Sequence, residues 1–168
     1  MGGFHINDIR ITGYYPGVVG EITTLHATYY YDNWRFDVSF ETQVGRELSD
    51  FLGMCVQDRD GFWVATVDGI FAGAVAIDGS GPSAEGARLR WFIVAPAYQG
   101  KGVGRKLLQK AVKFCKSANH ERIYLWTFKG LHAARSLYEG EGFKLREEHD
   151  VRQWGSRITE QMFDVTLV

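Results

Sequence analysis

Residues 99 to 105 read Gln-Gly-Lys-Gly-Val-Gly-Arg, with three glycines at alternate positions ahead of a helical stretch. Glycine at that spacing lets successive backbone N–H groups approach an anion, and a helix starting there adds the positive end of its dipole. From Lys101 to Lys116 there are six cations and no carboxylate, in a chain whose formal net charge is −1. A phosphate-bearing ligand fits this pattern, although a plain turn before a solvated helix face would also produce it. Two familiar phosphate loops do not fit. A P-loop needs Ser or Thr directly after its Gly-Lys, and Gly102 follows Gly100-Lys101 here. A dinucleotide loop needs GxGxxG immediately after its strand and an acid about 20 residues on. In this chain the spacing is GxGxG, Ala95 to Tyr98 intervene, and Glu121 opens the next strand instead of ending it.

The elements that must position this loop follow from hydrophobic period. Ile9 to Thr12 is a short strand. Val18 to Tyr31 carries Val18, Ile22, Leu25 and Tyr29 at helical spacing, and Glu41 to Met54 carries Val44, Leu48, Phe51 and Leu52. Phe62–Val67 and Ile70–Ile77 form a hairpin around Asp68-Gly69. After a loop from Asp78 to Gly86 comes a strand, Arg88 to Val94, stopped by Pro96. A helix from Gly102 to Ser117 carries Val103, Leu107, Leu108, Ala111, Phe114 and Cys115 on one face. Arg122–Phe128 is a strand, Leu131–Glu139 a short helix, and residues 144–168 two final strands around Trp154-Gly155. That order predicts one α+β domain over residues 1–168, with a mixed, mostly antiparallel central sheet flanked by helices.

Gln99, Gly102 and Gly104 fit the pattern Q/R-x-x-G-x-G/A. Phe92-Ile-Val-Ala-Pro96 precedes it and Leu107-Leu108 follows. About 35 residues on, Ala134-Arg-Ser-Leu-Tyr138-Glu-Gly-Glu-Gly142-Phe143 reads as A-x-x-L-Y-x-x-x-G-F. On these two motifs, with a strand between them, the chain resembles the GNAT superfamily of N-acetyltransferases. Tyr124–Phe128, Trp154-Gly155 and the segment Tyr29 to Glu41 look like the members fused behind winged-helix MarR-type regulators. Residue 1 leads almost directly into the first strand, so no such regulator is expected in this chain.

The resemblance implies acetyl-coenzyme A as co-substrate and an amine of a small molecule or peptide as acceptor. Backbone amides of Gln99, Gly100, Lys101, Gly102, Val103, Gly104 and Arg105 would hold the pyrophosphate, with Lys101, Arg105 and Lys106 beside the phosphates. Phe92 and Val94 would pair their main chain with the pantetheine arm, and an N–H near Val94 would polarise the thioester carbonyl. Tyr138 would act as general acid on the departing thiolate. The same tyrosine, with Leu131 and Ala134, also fits the inner face of a helix. Glu41 is the candidate base, with Glu21 as a second. Relatives often carry Glu on the strand before the loop and Asn ahead of the helix alanine, where this chain has Leu89, Trp91, Ile93 and Leu131. Tyr30, Trp34 and Trp126 are candidate acceptor-pocket aromatics; Trp126, in a strand, fits core better, and the Tyr30–Trp34 cluster, beside Asp32 and Arg35, fits a site better. A non-catalytic acyl-coenzyme A sensor, acting with a regulator, is the rival reading.

Composition narrows the classes further. With 168 residues, 45% hydrophobic and 23% charged, the chain can bury a core, and its 20 glycines against 3 prolines point to turns instead of disorder. A net charge of −1 argues against nucleic-acid or acidic-membrane binding. No segment resembles a membrane span, and Met1 to Asp8 resembles no signal peptide. Cys55 and Cys115 read as reduced, buried thiols of a cytoplasmic protein. The histidines show no metal motif, so no metal is expected. The assembly expected is a monomer or homodimer.

Overall fold

A computed structural model describes residues 8–167. The readings of residues 1–7 as carrying no leader and of Val168 as strand end fall outside them. The elements run β1 (Ile9–Thr12), α1 (Val18–Trp34), α2 (Val38–Gly53), β2 (Gly61–Val67), β3 (Ile70–Asp78), β4 (Ala87–Val94), α3 (Val103–Ser117), β5 (Arg122–Phe128), α4 (His132–Gly140), β6 (Lys144–Gln153) and β7 (Ser156–Thr166). One sheet of seven strands takes the order β1-β2-β3-β4-β5-β7-β6. Among the described residues only β4 and β5 pair in parallel; the other neighbours are antiparallel. The α+β reading and the mixed, mostly antiparallel sheet are as the element order implied.

The sheet is the middle of three layers. On one face α3 and α4 bury Leu107, Leu108, Ala111, Cys115 and Tyr138 against Val75, Ile77, Leu89, Ile123 and Phe163. On the other, α1 and α2 bury Val18, Ile22 and Leu48 against Val64 and Ala74, and Tyr30, Phe36 and Phe40 against Ile93, Phe128 and Ile158. Strand β3 lies between both layers, so Ala72 to Ile77 is buried throughout. Its small residues let helices approach from either side. Gly73 is required more strictly: a Cβ there would stand 2.5 Å from the Ile93 carbonyl oxygen.

Two features of the sheet make room for a ligand. Trp91 takes φ 50° inside β4, and the β3–β4 register slips between Ala74 and Ala76. Such a bulge bends a strand and re-aims its side chains. The β4–β5 pairing is also very short, joining only Ala87 to Ile123 and Arg88 to Tyr124. Beyond Arg88 the two strands separate, leaving the edge of β4 unpaired as far as Val94.

The two helices ahead of the hairpin run longer than their apolar spacing implied, α1 to Trp34 and α2 from Val38. Asp37 caps α2, its carboxylate accepting from the Ser39 N–H at 3.0 Å. One thiol departs from the sequence reading. Cys115 is buried, its pKa pushed up to about 12 by burial, but Cys55 is exposed, beyond the end of α2. No helix among the described residues is long and apolar enough to cross a membrane.

Candidate active site

The parting of β4 from β5 opens a cavity of about 540 Å³. Residues 88–94 of β4 and 125–128 of β5 form its two sides. Helix α4 and the glycine loop close one end, α1 and α2 the other. Six residues singled out from sequence meet at the loop end: Phe92, Val94, Gln99, Gly100, Gly104 and Tyr138.

At the loop end the chemistry belongs to the backbone. Gly100 and Gly102 adopt φ 75° and 89°, conformations that L side chains rarely take, and a Cβ on either would meet open space. Gly102 caps α3 with no side-chain hydrogen bond. Among the described residues, no backbone carbonyl accepts from the N–H groups of residues 100–105; the first such bond runs from Lys106 N–H to Gly102. Unpaired amides at the positive end of a helix dipole are the arrangement that suits an anion. Gly104 has a different reason to be glycine. A Cβ there would stand 2.9 Å from Leu137 Cδ1 and 3.3 Å from Val94 Cγ2, filling the gap beside the cavity. Val103 is buried in the core, so only its N–H could serve a ligand. Lys101, Arg105 and Lys106 are exposed and do not line the cavity.

Strand polarity favours a ligand lying along β4. The Ala95 N–H donates to the Ala72 carbonyl of β3 at 2.8 Å, so Val94, one residue back, turns its own N–H and C=O toward the open edge. Gln99 Nε2 donates to that Val94 carbonyl at 3.1 Å, which leaves the Val94 N–H free. An extended chain with amide groups, such as a pantetheine arm, could pair there as an added strand.

Tyr138 stands beside this edge. Its ring packs on Phe92, Phe143 and Phe163, with centroids 5.7, 5.9 and 6.1 Å away. Both readings of this residue therefore hold geometrically, since it is core and also lines the cavity. Burial raises its pKa, and Tyr30 raises it further, so the phenol keeps its proton. Tyr30 is itself raised by burial and then by Tyr29. Three tyrosines thus gather on one cavity, although Tyr138 lies far along the chain from the other two.

The opposite end is aromatic. Tyr29, Tyr30, Phe40, Trp126, Phe128 and Trp154 line it. Tyr30 stacks on Phe36 at 5.7 Å and meets Phe40 edge-on at 5.2 Å, so it serves as core and wall together. Trp126 is half-buried on the wall, edge-on to His149. Trp34 does not line the cavity; it backs it, 5.7 Å from Tyr30 and 5.1 Å from Phe128. Glu41 is a correction. Helix α2 turns Phe40, Gln43, Val44 and Glu47 to the cavity, at i, i+3, i+4 and i+7. That period leaves Glu41 exposed on another face, and Glu21 is exposed too.

This end is closed by distant segments. Asp37 N–H donates to the Trp154 carbonyl at 2.9 Å, Trp154 Nε1 to Gln43 Oε1 at 2.9 Å, and Ser156 Oγ to the Trp34 carbonyl at 2.8 Å. The tip of the β6–β7 hairpin is thereby tied to the α1–α2 connection.

Sequence reasoning missed several polar residues here. Glu160 lines the cavity and pairs with His149 Nε2 at 2.9 Å. Its place follows from the register Phe128↔Glu160, which no local pattern announces. Glu47 lines it too, 2.6 Å from Arg90 Nη2, and so does Arg88. Alternation along β4 could have grouped Arg88 with Arg90. His26 is buried on α1, and its Nδ1 donates to the Ile22 carbonyl at 2.8 Å, which leaves Nε2 as the lone-pair nitrogen. Burial lowers its pKa to about 4, so it is neutral at pH 7. Among the described residues no three His, Cys, Asp or Glu side chains gather as a metal would require.

Comparison with known proteins gives the family and the fold. Residues 21–143 match the model of the acetyltransferase (GNAT) family. An uncharacterised N-acetyltransferase of Archaeoglobus fulgidus is 29% identical over 101 residues, covering 58% of this chain and 69% of that protein. An N-acetylaspartate synthetase of Xenopus tropicalis is 30% identical over 139 residues, covering 80% of this chain and 51% of that protein. This chain therefore spans about half the length of the Xenopus relative. A Salmonella typhimurium protein solved with its cofactor acetyl-CoA superposes with a TM-score of 0.72 at 17% identity, covering 96% of this chain and 95% of that one. The chain belongs to the acetyltransferase (GNAT) family, a class of acyltransferases whose co-substrate is acetyl-coenzyme A.

Proposed function

We propose that this protein transfers the acetyl group of acetyl-coenzyme A directly to a primary amine of a small molecule or peptide, both substrates being bound in the one cavity. The parting of β4 from β5 carries this reading. It joins a loop of free amides, an unpaired strand edge, a protonated phenol and an aromatic chamber in one continuous space.

Residues 100–105 bind the pyrophosphate through their amides, and the exposed Lys101, Arg105 and Lys106 add long-range attraction for the phosphates. Phe92 and Val94 align the pantetheine arm along β4. The co-substrate supplies an activated acyl carbon. The Val94 N–H hydrogen-bonds the thioester oxygen and stabilises the charge that develops there. The amine nitrogen forms the new C–N bond as the C–S bond breaks. Tyr138, held neutral by burial, gives its proton to the departing sulfur and regains one from solvent.

Glu160 replaces Glu41 as the group that takes the proton lost by the amine. It faces the cavity, and its partner His149 is half-exposed, so a proton can pass onward to solvent. Tyr30 and Trp126 hold the body of the acceptor, with Trp34 supporting Tyr30 from behind.

The test is release of free thiol from acetyl-coenzyme A across a panel of amines, in wild type, Tyr138→Phe and Glu160→Gln. Turnover that drops sharply in both variants, while coenzyme A affinity is retained, supports the reading. Wild-type turnover in Tyr138→Phe would remove the general acid. If coenzyme A binds and no amine ever releases thiol, the chain is a binding module.

A further inference from the structure

Arg88 stands at the apex of the splayed strands, the last residue of β4 that pairs with β5. It is half-buried, lines the cavity, and forms no hydrogen bond or ion pair among the described residues. Its Nε is fully buried with no partner. The other half-buried arginines are all matched. Arg59 holds Asp60, Arg90 holds Glu47 and Asp78, Arg122 holds Asp164, and Arg135 holds Glu139. The two carboxylates on the same face as Arg88, Glu47 and Asp78, are both committed to Arg90. Arg90 itself lies over the Trp91 ring at 4.2 Å.

An arginine cannot shed its charge, so a half-buried guanidinium without a partner is a standing cost to the fold. Burial, and then the neighbouring Arg90 charge, pulls its pKa below the ordinary arginine value. The position is also far from the phosphate loop. Six residue steps of strand, roughly 20 Å at about 3.3 Å each, separate Arg88 from Val94, and the loop lies beyond. The anion that meets Arg88 is therefore on the acceptor, not the co-substrate.

We propose that Arg88 receives a carboxylate of the acceptor that is set well apart from its amine, so that the substrate is a short peptide or similarly extended amine bearing a carboxylate, and not a simple amine or polyamine. This deepens the acetyl-transfer reading and rests on it. A guanidinium fork pairs with a carboxylate through two hydrogen bonds, which gives both affinity and orientation. The aromatic walls around it hold the rest of the molecule, and the amine is directed toward the Val94–Tyr138 end.

The experiment compares matched acceptors: tri- and tetrapeptides with a free C-terminal carboxylate against the same peptides as C-terminal amides. Expected is a kcat/KM at least tenfold higher for the carboxylate-bearing member of some pair. Arg88→Gln should bring that ratio to near one by raising KM, and Arg88→Lys should restore part of it. Arg88→Gln should also melt no lower than wild type, because it removes an unmatched buried cation. A structural arginine would behave oppositely. Neutral members used as well as or better than the acids, an equal loss on both in Arg88→Gln, or a large drop in melting temperature would each overturn the proposal. Calorimetric titration of the same acceptors into coenzyme A-saturated protein separates the two readings if no thiol is released. Acid-selective binding lost in Arg88→Gln would keep the carboxylate site and sink acetyl transfer. No selectivity there would overturn the carboxylate site as well.

Discussion

The two ends of the cavity are built on opposite principles. The loop end uses main-chain groups from one short stretch, residues 92–105, and needs side chains mainly to stay out of the way. Gly104 shows this, because the gap beside it is one that a Cβ would fill. The aromatic end uses side chains from α1, α2, β4, β5, β7 and the β6–β7 tip, joined by hydrogen bonds between residues as distant as Trp154 and Gln43. The first is a local backbone device that suits one constant ligand. The second is a tertiary chamber whose specificity can change one side chain at a time.

The largest expected effect lies where the ends meet. Tyr138→Phe should lower kcat by about 100-fold or more, the scale of general acid catalysis, with coenzyme A affinity changed less than about threefold. Steady-state thiol release and calorimetry measure the two. Because burial raises Tyr138, the wild-type rate should show no loss of activity from its ionisation up to about pH 10, the usual tyrosine value.

The next effect is confined to the aromatic end. His26 folds with its pKa lowered from 6.5 to about 4. Between those values the unfolded chain binds a proton that the folded chain refuses, so stability falls as pH drops through that window. The loss reaches about 3 kcal/mol at its lower edge, and the full contribution is present above pH 6.5. Denaturant melts of wild type and His26→Gln from pH 4 to 7 check it. A variant with the same slope as wild type would assign the pH dependence elsewhere.

Gly104→Val probes the loop end alone. It crowds Leu137, Val94 and Phe92 and fills space beside the cavity, and a tenfold rise in KM for acetyl-coenzyme A is expected, equivalent to about 1.4 kcal/mol of lost binding. The KM of the acceptor should hold. An equal rise in both would mean that the two ends are not separable. The smallest effect is expected for Trp154→Phe, which removes the donor to Gln43 and should cost about 1 kcal/mol of stability. Its kinetic signature is the reverse of the previous one, a change in acceptor KM with acetyl-coenzyme A KM kept.

Much of the loop end was legible from local pattern. Glycines at positions 100, 102 and 104 require special backbone or close approach wherever they fold, and the strand before them and helix after them follow from short-range period. Tyr138 was legible because its motif is contiguous. Glu41 was misplaced for the complementary reason. Helical period says which residues share a face, but not which face meets the cavity, and a rotation of one residue exchanges Glu41 for Phe40. Glu160 and Arg88 were invisible as site residues. Their neighbours are set by strand register and by where β4 leaves β5, neither of which is encoded within a few residues.

By itself, then, the sequence determined the order of elements, the glycine loop between strand and helix, and the family, since each rests on interactions within about ten residues or on a motif of fixed spacing. Only the tertiary structure decided that β4 and β5 pair at two positions and then part, that a hairpin tip is tied to the α1–α2 connection, and that Arg88 is left without a carboxylate among the described residues. Those outcomes depend on the packing of both helical layers against one sheet, a balance among side chains that never meet along the chain.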